Sequence, residues 1–61
     1  MSEFACIDFD EVNEYDDKEA TEFIIDGEAI WIPDSQIDRI YYKTKKVYIT
    51  NWFARKKGLA L

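Results

Sequence analysis

Short apolar runs of strand length punctuate the chain, and the clearest pattern lies between Thr21 and Ile32. Two such runs flank Asp26-Gly27, a pair suited to a type I′ hairpin turn because both central residues need positive φ. A two-residue loop sets Ile25 opposite Glu28, Phe23 opposite Ile30 and Thr21 opposite Ile32. Phe23, Ile25, Ile30 and Ile32 then share one face, the expected core face. Glu22, Ile24, Ala29 and Trp31 point the other way. Pro33 ends the second strand, since it lacks a backbone donor and fixes φ. Asp34 and Ser35 continue the turn through side-chain hydrogen bonds.

A second hairpin is expected from Ile37 or Asp38 to Thr50, turning within Lys43-Thr44-Lys45-Lys46. A two- or four-residue loop pairs Tyr42 with Val47, Tyr41 with Tyr48 and Ile40 with Ile49. The core face becomes Ile40, Tyr42, Val47 and Ile49, and the outer face Arg39, Tyr41, Lys43, Lys46, Tyr48 and Thr50. Asn51 is placed to cap a helix over Trp52 to Lys57, with Arg55, Lys56 and Lys57 suiting its C-terminus and Gly58 its left-handed stop.

The N-terminal run, Phe4 to Phe9, reads as a strand whose two sets are Ala5, Ile7, Phe9 and Phe4, Cys6, Asp8. From Asp10 to Lys18 the chain is polar, and Val12 and Tyr15 stand three apart. That segment fits one helical turn beginning at Asp10, or equally a solvated loop. The expected fold is therefore α+β and mainly β: a small antiparallel sheet of two hairpins plus an N-terminal strand, with a short C-terminal helix. A partly open barrel satisfies the same pattern. All 61 residues fit one small domain.

Composition adds that this is a folding sequence, with 48% hydrophobic and 16% aromatic residues, outside the regime of disorder. Its single Cys6 excludes an internal disulfide framework and points to a reducing compartment; a small buried thiol is the expected state. No run has signal-peptide or membrane-span character, so a cytoplasmic protein with no membrane partner is expected.

Charge changes the picture more. The net value of −5 conceals a division along the chain. All thirteen acids lie between Glu3 and Asp38 with Lys18 as the one base, a formal −12. The segment from Arg39 to Leu61 carries seven bases and no acid, a formal +7.

Catalysis finds little support. There is no His to activate Cys6, and nothing marks a cleft that would hold one carboxyl in apolar surroundings. An enzyme is not expected, nor a cofactor. Asp8 and Asp10 begin an EF-hand spacing that Glu19 would finish, but Val12 stands at a ligand position and Asn13 where the loop needs Gly. A zinc site lacks its ligands, so no metal is expected.

Two binding surfaces remain. Asp8, Asp10, Glu11, Glu14, Asp16, Asp17 and Glu19, interleaved with Phe9, Val12 and Tyr15, can present negative charge much as nucleic-acid phosphates do. Such a surface would occupy the basic site of a nucleic-acid-binding protein, with Tyr15 as its central aromatic. The plain alternative is a solvated face that aids solubility. The opposing surface is Arg39, Tyr41, Lys43, Lys46 and Tyr48, a basic–aromatic set of the kind that binds single-stranded nucleic acid. Its plain alternative is a cross-strand tyrosine pair covered by the acidic half. A homodimer or adaptor, acidic half against basic half, is the third possibility.

The run Ala29-Ile30-Trp31-Ile32-Pro33-Asp34-Ser35-Gln36-Ile37, followed by Ile49-Thr50-Asn51-Trp52-Phe53-Ala54-Arg55-Lys56-Lys57-Gly58-Leu59, resembles a small module of phage and other mobile-element proteins. The likeness spans about Glu22 to Leu59 with a shortened middle, and Asp34 stands where the module often has Lys or Arg. The acidic segment from Glu3 to Glu19 lies outside it. The resemblance implies a mobile-element origin and no mechanism of its own. A tiny acidic protein of that character is similar in kind to inhibitors of host defence, anti-CRISPR proteins among them. The implied partner of the acidic surface is then a host nucleic-acid-binding protein such as a CRISPR effector, met in the host cytoplasm.

Overall fold

The computed structural model describes residues 3–59. Its strands are β1 (Phe4–Asp8), β2 (Glu11–Asn13), β3 (Ala20–Ile25), β4 (Glu28–Pro33), β5 (Ile37–Tyr41) and β6 (Lys46–Thr50), followed by helix α1 (Asn51–Lys56). A 3-10 turn, Asp34–Gln36, joins β4 to β5. The fold is the mainly-β α+β arrangement that the pattern implies, but the two hairpins occupy separate antiparallel sheets, ordered β1-β6-β5 and β2-β3-β4.

Two stretches of chain pass from one sheet to the other. β1 and β2 are separated only by Phe9 and Asp10, and β4 and β5 only by the 3-10 turn. The first bend is tied to both sheets: the Phe9 N–H donates to the Lys45 carbonyl at 2.9 Å, and the Asp10 N–H to the Ile24 carbonyl at 2.7 Å. The result is two three-stranded sheets joined by these bends, with β6 central in one and β3 central in the other. β2 replaces the helical turn or loop expected after Asp10, because pairing with β3 satisfies backbone groups that a loop would leave to water.

The first hairpin follows the sequence pattern. Asp26 and Gly27 have φ of 53° and 81°, as a type I′ turn requires, and the pairing of Ile25 with Glu28, Phe23 with Ile30 and Thr21 with Ile32 is observed. Pro33 lies opposite Ala20. Counting outward from the two-residue turn makes this a non-hydrogen-bonded pair, so the missing proline N–H is not needed by β3.

Both sheets and the helix contribute to one core, comprising Ile7, Phe9, Phe23, Ile32, Val47, Ile49, Phe53 and Ala54. Phe9 meets Phe23 edge to face, with ring centroids 5.1 Å apart. Phe23, Ile32, Val47 and Ile49 are completely buried. Each such side chain contributes about 1.5–3 kcal/mol of transfer free energy, large against the ~3–9 kcal/mol net stability usual for a domain this short.

The second hairpin departs from its expected register by two residues. Tyr41 pairs with Lys46, Ile40 with Val47 and Arg39 with Tyr48, and an irregularity at Asp38 lets Ile37 meet Ile49. This bulge brings Ile37 and Ile40 to the same face although they stand three apart. Both pack against the core, taking the places assigned to Ile40 and Tyr42. Two isoleucines bury without leaving a hydroxyl to satisfy. Tyr42 instead sits in the loop, 54% exposed, and its hydroxyl donates to Glu14 Oε1 at 2.6 Å. The loop turns through a left-handed Lys45, at φ 57°.

Two smaller expectations are also corrected. Cys6 is exposed rather than buried: strand alternation turns Ala5 and Ile7 inward and Cys6 outward, overriding the usual preference of a thiol. Thr50, not Asn51, caps the helix, its hydroxyl accepting the Phe53 N–H at 3.3 Å. Asn51 is the first helical residue, and its N–H donates to the Glu3 carbonyl at 3.0 Å. At the far end Gly58, at φ 70°, donates to the Arg55 carbonyl and Leu59 to the Ala54 carbonyl. These are the paired bonds of a Schellman stop, which folds Leu59 back onto the core. No helix among the described residues is long and apolar enough to cross a membrane.

Candidate functional site

Alternation gives each sheet an outer face, and the two faces differ in charge. On the β2-β3-β4 sheet the register sets Asn13 beside Glu22 and Glu22 beside Trp31. The Asn13 amide donates to Glu22 Oε1 at 3.1 Å, and the Tyr15 hydroxyl donates to the same oxygen at 3.4 Å. Tyr15 then lays its ring near Trp31, with centroids 5.5 Å apart. Lys18, the lone base of the acidic stretch, holds its Nζ 5.9 Å from the centre of the Trp31 ring. The charge of Glu22 holds the Tyr15 phenol above its ordinary pKa, with smaller contributions from desolvation and their hydrogen bond.

Asp10, Glu11, Glu14, Asp16, Asp17 and Glu19 are all exposed, in β2 and the segments flanking it. Asp8 is separated from them. It belongs to the other sheet, where its Oδ1 lies 2.5 Å from Lys46 Nζ. Of the apolar residues expected among the carboxylates, only Tyr15 is displayed: Phe9 is buried and Val12 packs against the core. Trp31 joins Tyr15 at the centre of the acidic surface. Sequence reasoning set Trp31 on the outward side beside Glu22 but gave it no role; an outward tryptophan aligned with a glutamate was the available signal.

The outer face of the β1-β6-β5 sheet carries two aligned rows. Cys6, Tyr48 and Arg39 form one, and Asp8, Lys46 and Tyr41 the other. Tyr41 and Tyr48 meet edge to face, 5.7 Å between centroids and 69° between planes. They remain 44% and 37% exposed, so the acidic segment does not cover them. Lys43 lies off this face, in the following loop with Lys45. Hydrogen bonding with Cys6 raises the Tyr48 phenol above its usual value, and the bond to Asp8 raises Lys46.

Between the 14–18 loop and β5 lies an open groove of about 450 Å³, with Glu14, Asp16 and Asp34 around it and Ile37 and Ile40 below. Thr21 donates to Asp34 Oδ1 at 2.8 Å. Among the described residues no cluster of His, Cys, Asp or Glu is arranged to hold a metal ion. What this arrangement offers is recognition by charge and aromatic surface. Comparison of the chain with protein-family models, curated proteins and solved structures yields no match.

Proposed function

We propose that the protein is a small phage-type inhibitor whose acidic surface occupies the basic nucleic-acid-binding site of a host defence protein, as a stand-in for DNA or RNA. One observation carries this reading. Among the described residues the single salt bridge is Asp8–Lys46, so the carboxylates of Asp10, Glu11, Glu14, Asp16, Asp17 and Glu19 have no internal cation at salt-bridge distance. These six carboxylates are exposed and are not spent in ion pairs with the basic half.

Carboxylates in this arrangement attract lysines and arginines that otherwise neutralise phosphates, by the same long-range field and counterion release. Tyr15 and Trp31 supply apolar area within the charged surface, where an aromatic anchor contributes most. A CRISPR effector is one protein class with a suitably charged channel. The test is a variant with Asp10, Glu11, Asp16 and Asp17 all changed to Lys, none of which contributes to the core. Circular dichroism must first show an intact fold. Capture of a nucleic-acid-binding partner from nuclease-treated host lysate is expected to vanish; undiminished capture by the folded variant refutes the reading.

A further inference from the structure

We propose that the outer face of the β1-β6-β5 sheet is a second binding site, for single-stranded nucleic acid, used alongside the acidic surface and independently of it. The two readings that the sequence sets against each other concern different sides of one core, so both sites can exist on one molecule.

The face has the two components that a sequence-tolerant strand binder needs. Tyr41 and Tyr48 are exposed and in mutual contact. Their 69° interplanar angle leaves one ring to lie flat under a base while the other braces it from the edge. Positive charge surrounds the pair: Arg39 shares a row with Tyr48, Lys46 shares one with Tyr41, and the loop after Tyr41 carries Lys43 and Lys45. These four bases exceed the three acids of the same region, Asp8, Asp38 and the Glu14 bonded to Tyr42 in the loop. Rings favour nucleic acid over an acidic peptide, because stacking needs a planar partner. Stacking also favours single strands over duplex, whose bases already stack on one another.

The negative side of the molecule does not forbid this. Packed sheets lie about 10 Å apart, comparable to the ~10 Å Debye length at 0.1 M salt. Carboxylates beyond the core are therefore partly screened at about 0.1 M salt from a strand lying on this face, and Glu14, bonded to Tyr42 in the adjoining loop, is the nearer exception.

The experiment is fluorescence anisotropy of a labelled oligothymidylate at about 0.1 M salt, roughly two-thirds of the physiological value, and below. Parallel measurements use a duplex of equal length, and polyglutamate as competitor. Expected are binding of the single strand in preference to the duplex, weakening with salt, and poor displacement by polyglutamate. Tyr41→Ala with Tyr48→Ala should lower affinity about tenfold or more, whereas Tyr41→Phe with Tyr48→Phe keeps the rings and the binding. Absence of binding at low salt overturns the proposal. So does equal affinity for duplex, easy displacement by polyglutamate, or an alanine variant that is folded and binds as before. Loss of the acidic surface's partner in the Lys-substituted variant leaves these outcomes unchanged, so the two proposals fail separately.

Discussion

Asp8 and Lys46 face each other across the β1–β6 pairing with Oδ1 and Nζ 2.5 Å apart, and there the acidic and basic parts of the chain meet directly. Both side chains are well exposed, so the pair is worth little to stability. Its consequence is for binding, since it draws Lys46 away from any phosphate. Asp8→Asn is expected to leave thermal unfolding essentially unchanged while tightening oligonucleotide binding. The salt dependence should steepen by about 0.7 in the slope of log affinity against log salt, the value of one further phosphate contact on a single strand. Anisotropy across a salt series reads both effects.

Tyr42 and Glu14 form a further bridge between the halves, linking the β5–β6 loop to the acidic segment. The Glu14 carboxylate accepts a hydrogen bond from the phenol O–H and so raises the Tyr42 pKa above its ordinary 10.0. A raised folded-state value means that the contribution is complete below the ordinary phenol pKa and is lost as pH rises through the raised one. Glu14→Gln should bring the Tyr42 phenolate absorbance to lower pH. Tyr42→Phe should flatten the alkaline loss of stability. A Tyr42 titration indifferent to Glu14→Gln contradicts the bond.

Thr50 both caps α1 and donates to Gln36 Oε1 at 2.5 Å, so it ties the helix to the turn between the sheets. Thr50→Ala is expected to cost about 1 kcal/mol, and Thr50→Ser much less because the hydroxyl remains. Urea denaturation of the two variants measures the difference.

Phe23 is completely buried and touches Phe9. Phe23→Ala should cost about 3–5 kcal/mol, comparable to the whole stability of so small a domain, and leave the chain largely unfolded by circular dichroism. Ile32→Val at an equally buried position should cost about 0.5–1.5 kcal/mol and remain folded.

Where one local rule decided the structure, the residues were enough to read it. Asp26-Gly27 dictated its own turn and, through it, every pair of the first hairpin. The second hairpin lacked such a signal. Its four-residue loop of Tyr42, Lys43, Thr44 and Lys45 has no glycine to mark the left-handed position, and Lys45 adopts that conformation itself. The bulge at Asp38 then altered the register in a way that strict alternation cannot express. β2 escaped notice because Glu11-Val12-Asn13 has one apolar residue, and its pairing depends on the bend at Phe9. Membership of the acidic surface was legible from charge alone. The removal of Asp8 to the opposite sheet and the meeting of Tyr15 with Trp31 were not, since both depend on how the two sheets are joined.

The claim that the acidic surface stands in for nucleic acid is tested most directly by competition. With the partner captured on the protein, duplex and single-stranded oligonucleotides are added in increasing amounts and the released partner is measured. Mimicry predicts that the partner's own nucleic-acid ligand releases it in full, and that the protein in turn displaces that ligand. A complex that holds both the protein and the nucleic acid at saturation, with neither displacing the other, contradicts the account.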